Sequence, residues 1–259
     1  MRKFTDKIAL VTGASRGLGK AIALELAAEG ATVACVATRA ENAAAVVAEI
    51  VAAGGRARAY GCHVERAAEV TATFASVASE LGPLDILVNN AGMADPQVTL
   101  EMTEESWDLH MNVNAKSVFL CSQAAARQMK DHGGGVIVNI GSIVGRNAFP
   151  ATLGYCTSKA AVDHMTRVMA IEWARLGIRV NCIAPGYVQT DLIDELAAQG
   201  KLTIRDLERR TPQRRLGNAR EIARGVVYVA SDDASFMTGE VLVIDGGWSA
   251  FGYYQAQRQ

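Results

Sequence analysis

Short apolar runs rich in β-branched residues alternate along the chain with alanine-rich stretches whose apolar positions recur every three or four residues. The pairs run "KIALVTG" then 18–29, "ATVACVA" then 40–53, and "ARAYGCHV" then 66–81. These are the two periods that separate strand from helix. The rhythm continues with "LDILVNNAG" and a helix over 103–130, "GVIVNIGS" and a helix over 155–176, then "IRVNCIAPG", a helix near 219–231 and a last strand, "EVLVIDGG". Such alternation builds parallel strands joined by right-handed crossovers. Near-continuous apolar strands belong to a sheet covered by helices on both faces. The pattern predicts one α/β domain over 1–259, a doubly wound sheet of about seven parallel strands. Only 188–218, which carries "DLERRTPQRR", breaks the rhythm. It is longer than a strand-to-helix connection needs, and reads either as a substrate lid or as a solvated excursion.

Composition narrows the partners. The chain has 259 residues, half of them hydrophobic, enough to bury a full core, and a formal net charge of −1. That balance gives no electrostatic case for nucleic acid or an anionic membrane, and leaves a small molecule as the expected partner. The start, "MRKFTDKIALVTG", runs into a glycine loop and is unlike a signal peptide. No apolar stretch approaches the roughly 20 residues that cross a bilayer, so a cytoplasmic protein is expected. The cysteines (35, 62, 121, 156, 182) are odd in number and lack CxxC pairs, and the histidines (63, 110, 132, 164) do not cluster. Neither a disulfide framework nor a metal site is predicted.

The first strand ends in "TGASRGLG", placing Gly13, Gly17 and Gly19 where a strand turns into a helix. Glycines at such a turn let the backbone approach a pyrophosphate, whose charge then sits at the helix N-terminus. The spacing is GxxxGxG rather than GxGxxG, so position in the first strand–helix unit matters more than the motif itself. At the end of the second strand, a carboxylate would accept hydrogen bonds from the ribose of NAD. Here the chain reads "VATRAEN". Thr38 and Arg39, with Arg16 from the glycine loop, offer a hydroxyl and two guanidinium groups to a phosphate. NADP(H) is favoured; Glu41 nearby keeps NAD(H) as the alternative.

In "YCTSK", Tyr155 and Lys159 stand four apart and share a face if the run is helical. A free phenol, with a pKa near ~10, is a poor base at neutral pH. An adjacent ammonium and a helix N-terminus would both lower that value and make the tyrosine a usable acid or base. Ser142 ends the strand "GVIVNIGS" at the carboxyl edge of the sheet, where open α/β sheets bind ligands.

In this order, "TGASRGLG", "NNAG", Asn114, Ser142, "YCTSK" and "PGYVQT" resemble the classical short-chain dehydrogenase/reductase family over about residues 5 to 248. The resemblance implies a Rossmann fold. It implies Tyr155 as general acid/base and Ser142 as the hydroxyl that orients substrate. Lys159 would lower the tyrosine pKa and hold the nicotinamide ribose. Asn114 would kink its helix and anchor a water in a proton relay to Lys159. Cofactor positions carried over are Gly13, Ser15, Arg16, Gly17, Leu18 and Gly19, then Asn90, Ala91 and Gly92, then Pro185, Gly186, Val188 and Thr190. Tyr155 and Lys159 join them at the nicotinamide. One departure is "CHVERA", with His63 before Val64 where the family commonly has an aspartate before an aliphatic residue. His63 either contacts the adenine or caps the following helix while the Val64 backbone does so.

The implied reaction interconverts a ketone and a secondary alcohol. Many relatives reduce 3-oxoacyl groups on acyl carrier protein, and the cofactor loop is similar to theirs. They tend to carry basic residues on the last turns of the tyrosine helix, where this chain has Ile171 and Leu176 beside Arg175. A sugar or polyol dehydrogenase is the competing reading, and a dinucleotide-binding sensor without turnover a third. Met93, Phe149, Tyr187 and Tyr253 are candidate pocket residues, and the tail "GGWSAFGYYQAQRQ" could close a pocket or dock on another subunit. Family members are usually tetramers, so a homotetramer is expected through 103–130 and 155–176, with Met111, Phe119, Met165 and Met169 on their faces.

Overall fold

The computed structural model describes residues 2–252; Tyr253 and the rest of the tail lie outside them. The chain begins β1 (Ile8–Thr12), α1 (Gly17–Ala28), β2 (Thr32–Ala37), α2 (Ala40–Ala52), β3 (Arg56–Gly61), α3 (Ala67–Leu81) and β4 (Ile86–Asn89). It continues with α4 (Glu104–Met111), α5 (Ser117–Met129), β5 (Gly135–Ile140), α6 (Leu153–Trp173) and β6 (Ile178–Pro185). After the short β7 (Val188–Gln189) come α7 (Asp191–Ala198), α8 (Ile204–Arg210), β8 (Gly217–Asn218), α9 (Ala219–Ala230) and β9 (Val241–Ile244). The seven long strands form one parallel sheet in the order β3-β2-β1-β4-β5-β6-β9. This is the doubly wound sheet predicted from the hydrophobic pattern.

Because both faces are covered, the middle strands bury every residue: β1 and β4 have no exposed position. Helices α1 and α9 pack on one face around Ile22, Leu26, Ile222 and Val226. Helices α3, α5 and α6 cover the other around Phe74, Met129 and Met169. The apolar layers are crossed by a buried polar ladder. Asn89 Nδ2 donates to Ser122 Oγ and Asn139 Oδ1, both at 2.9 Å, and Asn139 Nδ2 donates to Thr166 Oγ1 at 2.9 Å. Each amide in this ladder has a partner, which is what makes its burial tolerable.

Strand order reverses between β1 and β4, so the loops after these strands splay apart and leave a crevice at their carboxyl ends. The helix predicted over 103–130 is α4 and α5 joined by a π-helical turn at Asn112–Lys116. Residues 188–218, which break the strand–helix rhythm of the sequence, fold into α7 and α8 bracketed by the two-stranded β7–β8 pair. Among the described residues no helix is long and apolar enough to cross a membrane.

Candidate active site

The crevice is a cavity of about 960 Å3 running from the glycine loop to the start of α6 and roofed by α7. Gly13 and Gly19 shape its floor. Gly13 has φ +64°, a left-handed conformation that disfavours any side chain, and a Cβ at Gly19 would lie 2.1 Å from the Gly13 carbonyl oxygen. The loop is fixed from beneath by Asn90, whose Nδ2 donates to the carbonyls of Thr12 (2.9 Å) and Gly13 (3.2 Å). Thr12 Oγ1 in turn accepts from the backbone N–H groups of Asn90 and Ala91. The first turn of α1 holds no acidic residue, so its positive N-terminus faces the cavity uncompensated. This cradle of bare backbone beside a helix start fits a dinucleotide pyrophosphate.

Gly13, Ser15, Arg16, Gly17, Leu18 and Gly19 all line the cavity, as do Thr38, His63 and Val64. Asn90, Ala91 and Gly92 line its middle; Pro185, Gly186, Val188 and Thr190 line the far side with Ser142, Tyr155 and Lys159. Arg39 stands outside this lining, exposed at the N-cap of α2. Arg16 is ion-paired with Glu195 of α7 across the cavity mouth, a contact between distant segments that no local pattern announces. His63 does not cap α3. Its backbone N–H is instead held by Glu69 Oε2 at 2.8 Å, and its half-exposed ring faces the cavity.

At the chemical end, Tyr155 lies on the first turn of α6, beside Ser142 from the end of β5. Burial pushes the phenol up to about 12, and the neighbouring Ser142 hydroxyl only partly opposes it. The expectation that Lys159 lowers the tyrosine thus meets an opposing effect of burial. The ammonium sits 5.8 Å from the ring centroid and is committed to the carbonyl oxygen of Ile140 at 2.8 Å. Lys159 is itself 4 % exposed, and burial brings it down to about 8 against the pull of Cys182 and Asp163. A neutral phenol and a cation thus share the cavity at neutral pH.

Asn114 is fully buried in the π-helical turn and does not face the cavity. Its Oδ1 accepts from Met93 N at 2.8 Å, and its Nδ2 donates to Met93 O and to Ser158 Oγ, at 2.9 and 3.0 Å. It ties the loop after β4 to α6, one turn from Tyr155. The break in the helix follows the expectation.

Several neighbours escaped the sequence reading. Asp163, 4 % exposed, lies a turn beyond Lys159, accepts from Cys182 Sγ at 3.6 Å and pairs with Arg146 at 3.5 Å. Lys201 lines the mouth and bridges to Asp95 at 3.0 Å. Trp248 packs behind Phe149 and Tyr187. The i, i+4 spacing of Lys159 and Asp163 was a usable signal for the first; the others join segments far apart in sequence.

A family model described as "Enoyl-(Acyl carrier protein) reductase" matches residues 13–249. The chain belongs to the short-chain dehydrogenase/reductase family. It is 41% identical over 242 residues to 3-oxoacyl-(acyl-carrier-protein) reductase FabG of Staphylococcus aureus strain Mu50, covering 93% of this chain and 97% of the relative. Among solved structures, a short-chain type dehydrogenase/reductase from Mycobacterium marinum is 40% identical, with a TM-score of 0.90 over 95% of this chain and 96% of that one. A 7α-hydroxysteroid dehydrogenase, solved with NADH and 7-oxo glycochenodeoxycholic acid, is 37% identical with a TM-score of 0.88 over 95% of each chain. As a member of this short-chain family, the protein is an oxidoreductase that acts on CH–OH groups with a nicotinamide dinucleotide.

Proposed function

We propose that this short-chain reductase is NADP(H)-dependent and reduces a ketone of the 3-oxoacyl type to a secondary alcohol, with Tyr155 as the proton donor. The observation that carries the reading is the convergence of Ser142, Tyr155 and Lys159 on one end of a cavity whose other end is the glycine cradle. The cradle would hold the pyrophosphate, and Lys159 the nicotinamide ribose. The nicotinamide, when bound, donates or accepts hydride. Ser142 holds the carbonyl oxygen, and Tyr155, protonated at neutral pH, delivers its proton to that oxygen as negative charge develops. Buried Asn114 keeps the loop after β4 and the first turn of α6 in register.

Preference for NADP(H) rests on the absence of a carboxylate at the end of β2, where Thr38 faces the cavity, and on Arg16 and Arg39 flanking that corner. The 3-oxoacyl reading is supported by similarity to FabG. Residues 188–218 act as the lid, since α7 roofs the cavity. The protein works as a cytoplasmic homotetramer.

The test follows nicotinamide absorbance with NADPH against NADH, over an acetoacetyl thioester, simple ketones, and sugars and polyols run in the oxidative direction. Thioester reduction with NADPH, reduced about 10²- to 10⁴-fold in Tyr155→Phe with cofactor binding retained, is the expected result. Turnover of polyols alone, or full activity in the Phe variant, overturns it.

A further inference from the structure

The wall of the substrate end is made of side chains from three separate segments. Phe149 comes from the loop after β5, Tyr187 from the loop after β6, and Trp248 from the segment after β9. Their rings form a closed triangle. Phe149 meets Tyr187 edge-on at 6.4 Å between centroids, Tyr187 meets Trp248 at 4.9 Å, and Phe149 meets Trp248 at 6.2 Å. Phe149 and Tyr187 line the cavity that holds Ser142 and Tyr155, while Trp248, 8 % exposed, backs them. Tyr187 lines the same cavity as Ser142 and Tyr155, so this aromatic surface belongs to the chemical end.

The triangle is held rather than merely filled. The guanidinium of Arg210, at the end of α8, lies 4.8 Å from the Trp248 ring and 5.0 Å from the Phe251 ring. It also donates to the carbonyls of Trp248 (3.4 Å) and Phe251 (2.7 Å). From the other side, Asp245 accepts the backbone N–H groups of Gly247 (2.9 Å) and Ser249 (2.7 Å). Trp248 is therefore fixed at both edges, and its two neighbours, 76° apart in plane, form a preorganised aromatic corner.

Apart from the Tyr187 hydroxyl, the surroundings of these rings are mostly apolar or already paired. Met93, Pro96, Val144 and Leu202 complete this end, the Thr152 hydroxyl is already donated to Phe149 O at 2.8 Å, and Lys201 is paired with Asp95. A polyol would lose its water here and find few partners, whereas a flat apolar group loses nothing and gains ring contacts.

We propose that the ketone this site prefers carries a planar aryl ring beside the reacting carbon, lying on the face of one of Phe149 and Tyr187 and against the edge of the other, with Trp248 as their fixed backing. The proposal rests on the carbonyl-reductase reading and narrows it: the 3-oxo group is flanked by a ring rather than by a flexible alkyl chain. Each ring contact contributes roughly two- to tenfold in affinity.

The experiment compares 2-tetralone with 2-decanone, a linear ketone of the same carbon number, in two readouts. One is kcat/KM with NADPH. The other is calorimetric binding to the protein loaded with NADP+, which needs no turnover. The expected result is a preference for the ring ketone of about tenfold or more in both, expressed mainly in KM. Trp248→Ala and Phe149→Leu are each expected to shrink the ratio several-fold, and Trp248→Phe to restore most of it. Arg210→Met, which leaves the three rings in place and removes their clamp, should lower the ratio less. Equal affinity for the two ketones, or a ratio that survives both Trp248→Ala and Phe149→Leu, overturns the aromatic wall. Ring-selective binding without reduction of any ketone supports the wall and overturns the carbonyl-reductase reading instead.

Discussion

Lys159 carries a cost that its neighbours only partly offset. An ammonium brought from 10.5 to about 8 by burial holds roughly 3 kcal/mol of unfavourable free energy while it stays charged. Below about pH 8 both folded and unfolded chains keep the proton and that cost is constant. Between about 8 and 10.5 the folded chain has released it and the unfolded chain has not, so this group makes stability rise with pH there. Lys159→Met removes the buried charge but leaves the Ile140 carbonyl without its donor, a loss of about 1 kcal/mol. The net gain is about 2 kcal/mol, and thermal melting should rise by roughly 5 °C while ketone reduction collapses. A variant that melts at or below the parent temperature would contradict this account. The pH–rate profile follows from the same pair of groups. Tyr155, held up at about 12, stays a competent donor through the neutral range, so it does not set the basic limb. Lys159 does: kcat/KM for reduction should be level below neutrality and fall as pH rises through about 8. A profile level to pH 9.5 would show that the ammonium charge is not required.

At the scale of elements, the turn from β2 into α2 is where cofactor choice is made. Thr38 faces the cavity and accepts from Asn42 Nδ2 at 3.1 Å, whereas Arg39 stands exposed at the helix N-cap. Arg39→Asp removes a phosphate donor and adds a ribose acceptor, and should move the NADPH:NADH ratio of kcat/KM toward NADH by about 10-fold or more. An unchanged ratio would assign the phosphate to Arg16, whose guanidinium is shared with Glu195 on α7. Elements of this kind were legible in the sequence because their cause is local. The glycine loop, the Tyr155–Lys159 face and the alternation of strands with helices each follow from spacing within a dozen residues or so. The break at Asn114 came with the family pattern and has a physical cause visible only in three dimensions: the side chain serves Met93 and Ser158 instead of its own helix. What stayed hidden depends on pairings between distant segments. Phe149 and Tyr187 are expected at a pocket, and Trp248 lies in the tail expected to close one, but that the three meet follows only from β5, β6 and β9 being sheet neighbours. Spacing likewise gives the proximity of Lys159 to Tyr155 but not the burial that raises the phenol.

For the whole molecule, the outer faces of α5 and α6 pose the remaining physical problem. They enclose a groove of about 640 Å3 lined by Phe119, Met165, Val168, Met169, Trp173 and Leu176. Met169 is buried, but Phe119, Val168 and Leu176 remain 44, 43 and 42 % exposed. Large apolar side chains gathered in one groove mark a contact surface in most proteins. A second copy of the same face is self-complementary under two-fold symmetry, with the helices of one copy continuing the layer of the other. The rim suits this, because Arg127 and Lys130 on α5 and Glu172 on α6 place opposite charges on the two helices. The groove follows α6 from Ala161 to Trp173, beyond the first turn that carries Tyr155. Ile171, 80 % exposed on the same helix, offers further apolar surface outside the groove. This contact alone accounts for a pair of chains, and the proposed tetramer needs a second face; light scattering on the parent chain should give four times the monomer mass of 27.5 kDa, and the melting temperature should rise with protein concentration. Phe119→Glu with Val168→Asp buries two carboxylates in any such contact, and should split the assembly while leaving each chain folded by circular dichroism. A parent protein that scatters as a monomer at micromolar concentration would leave this face without a partner of its own kind.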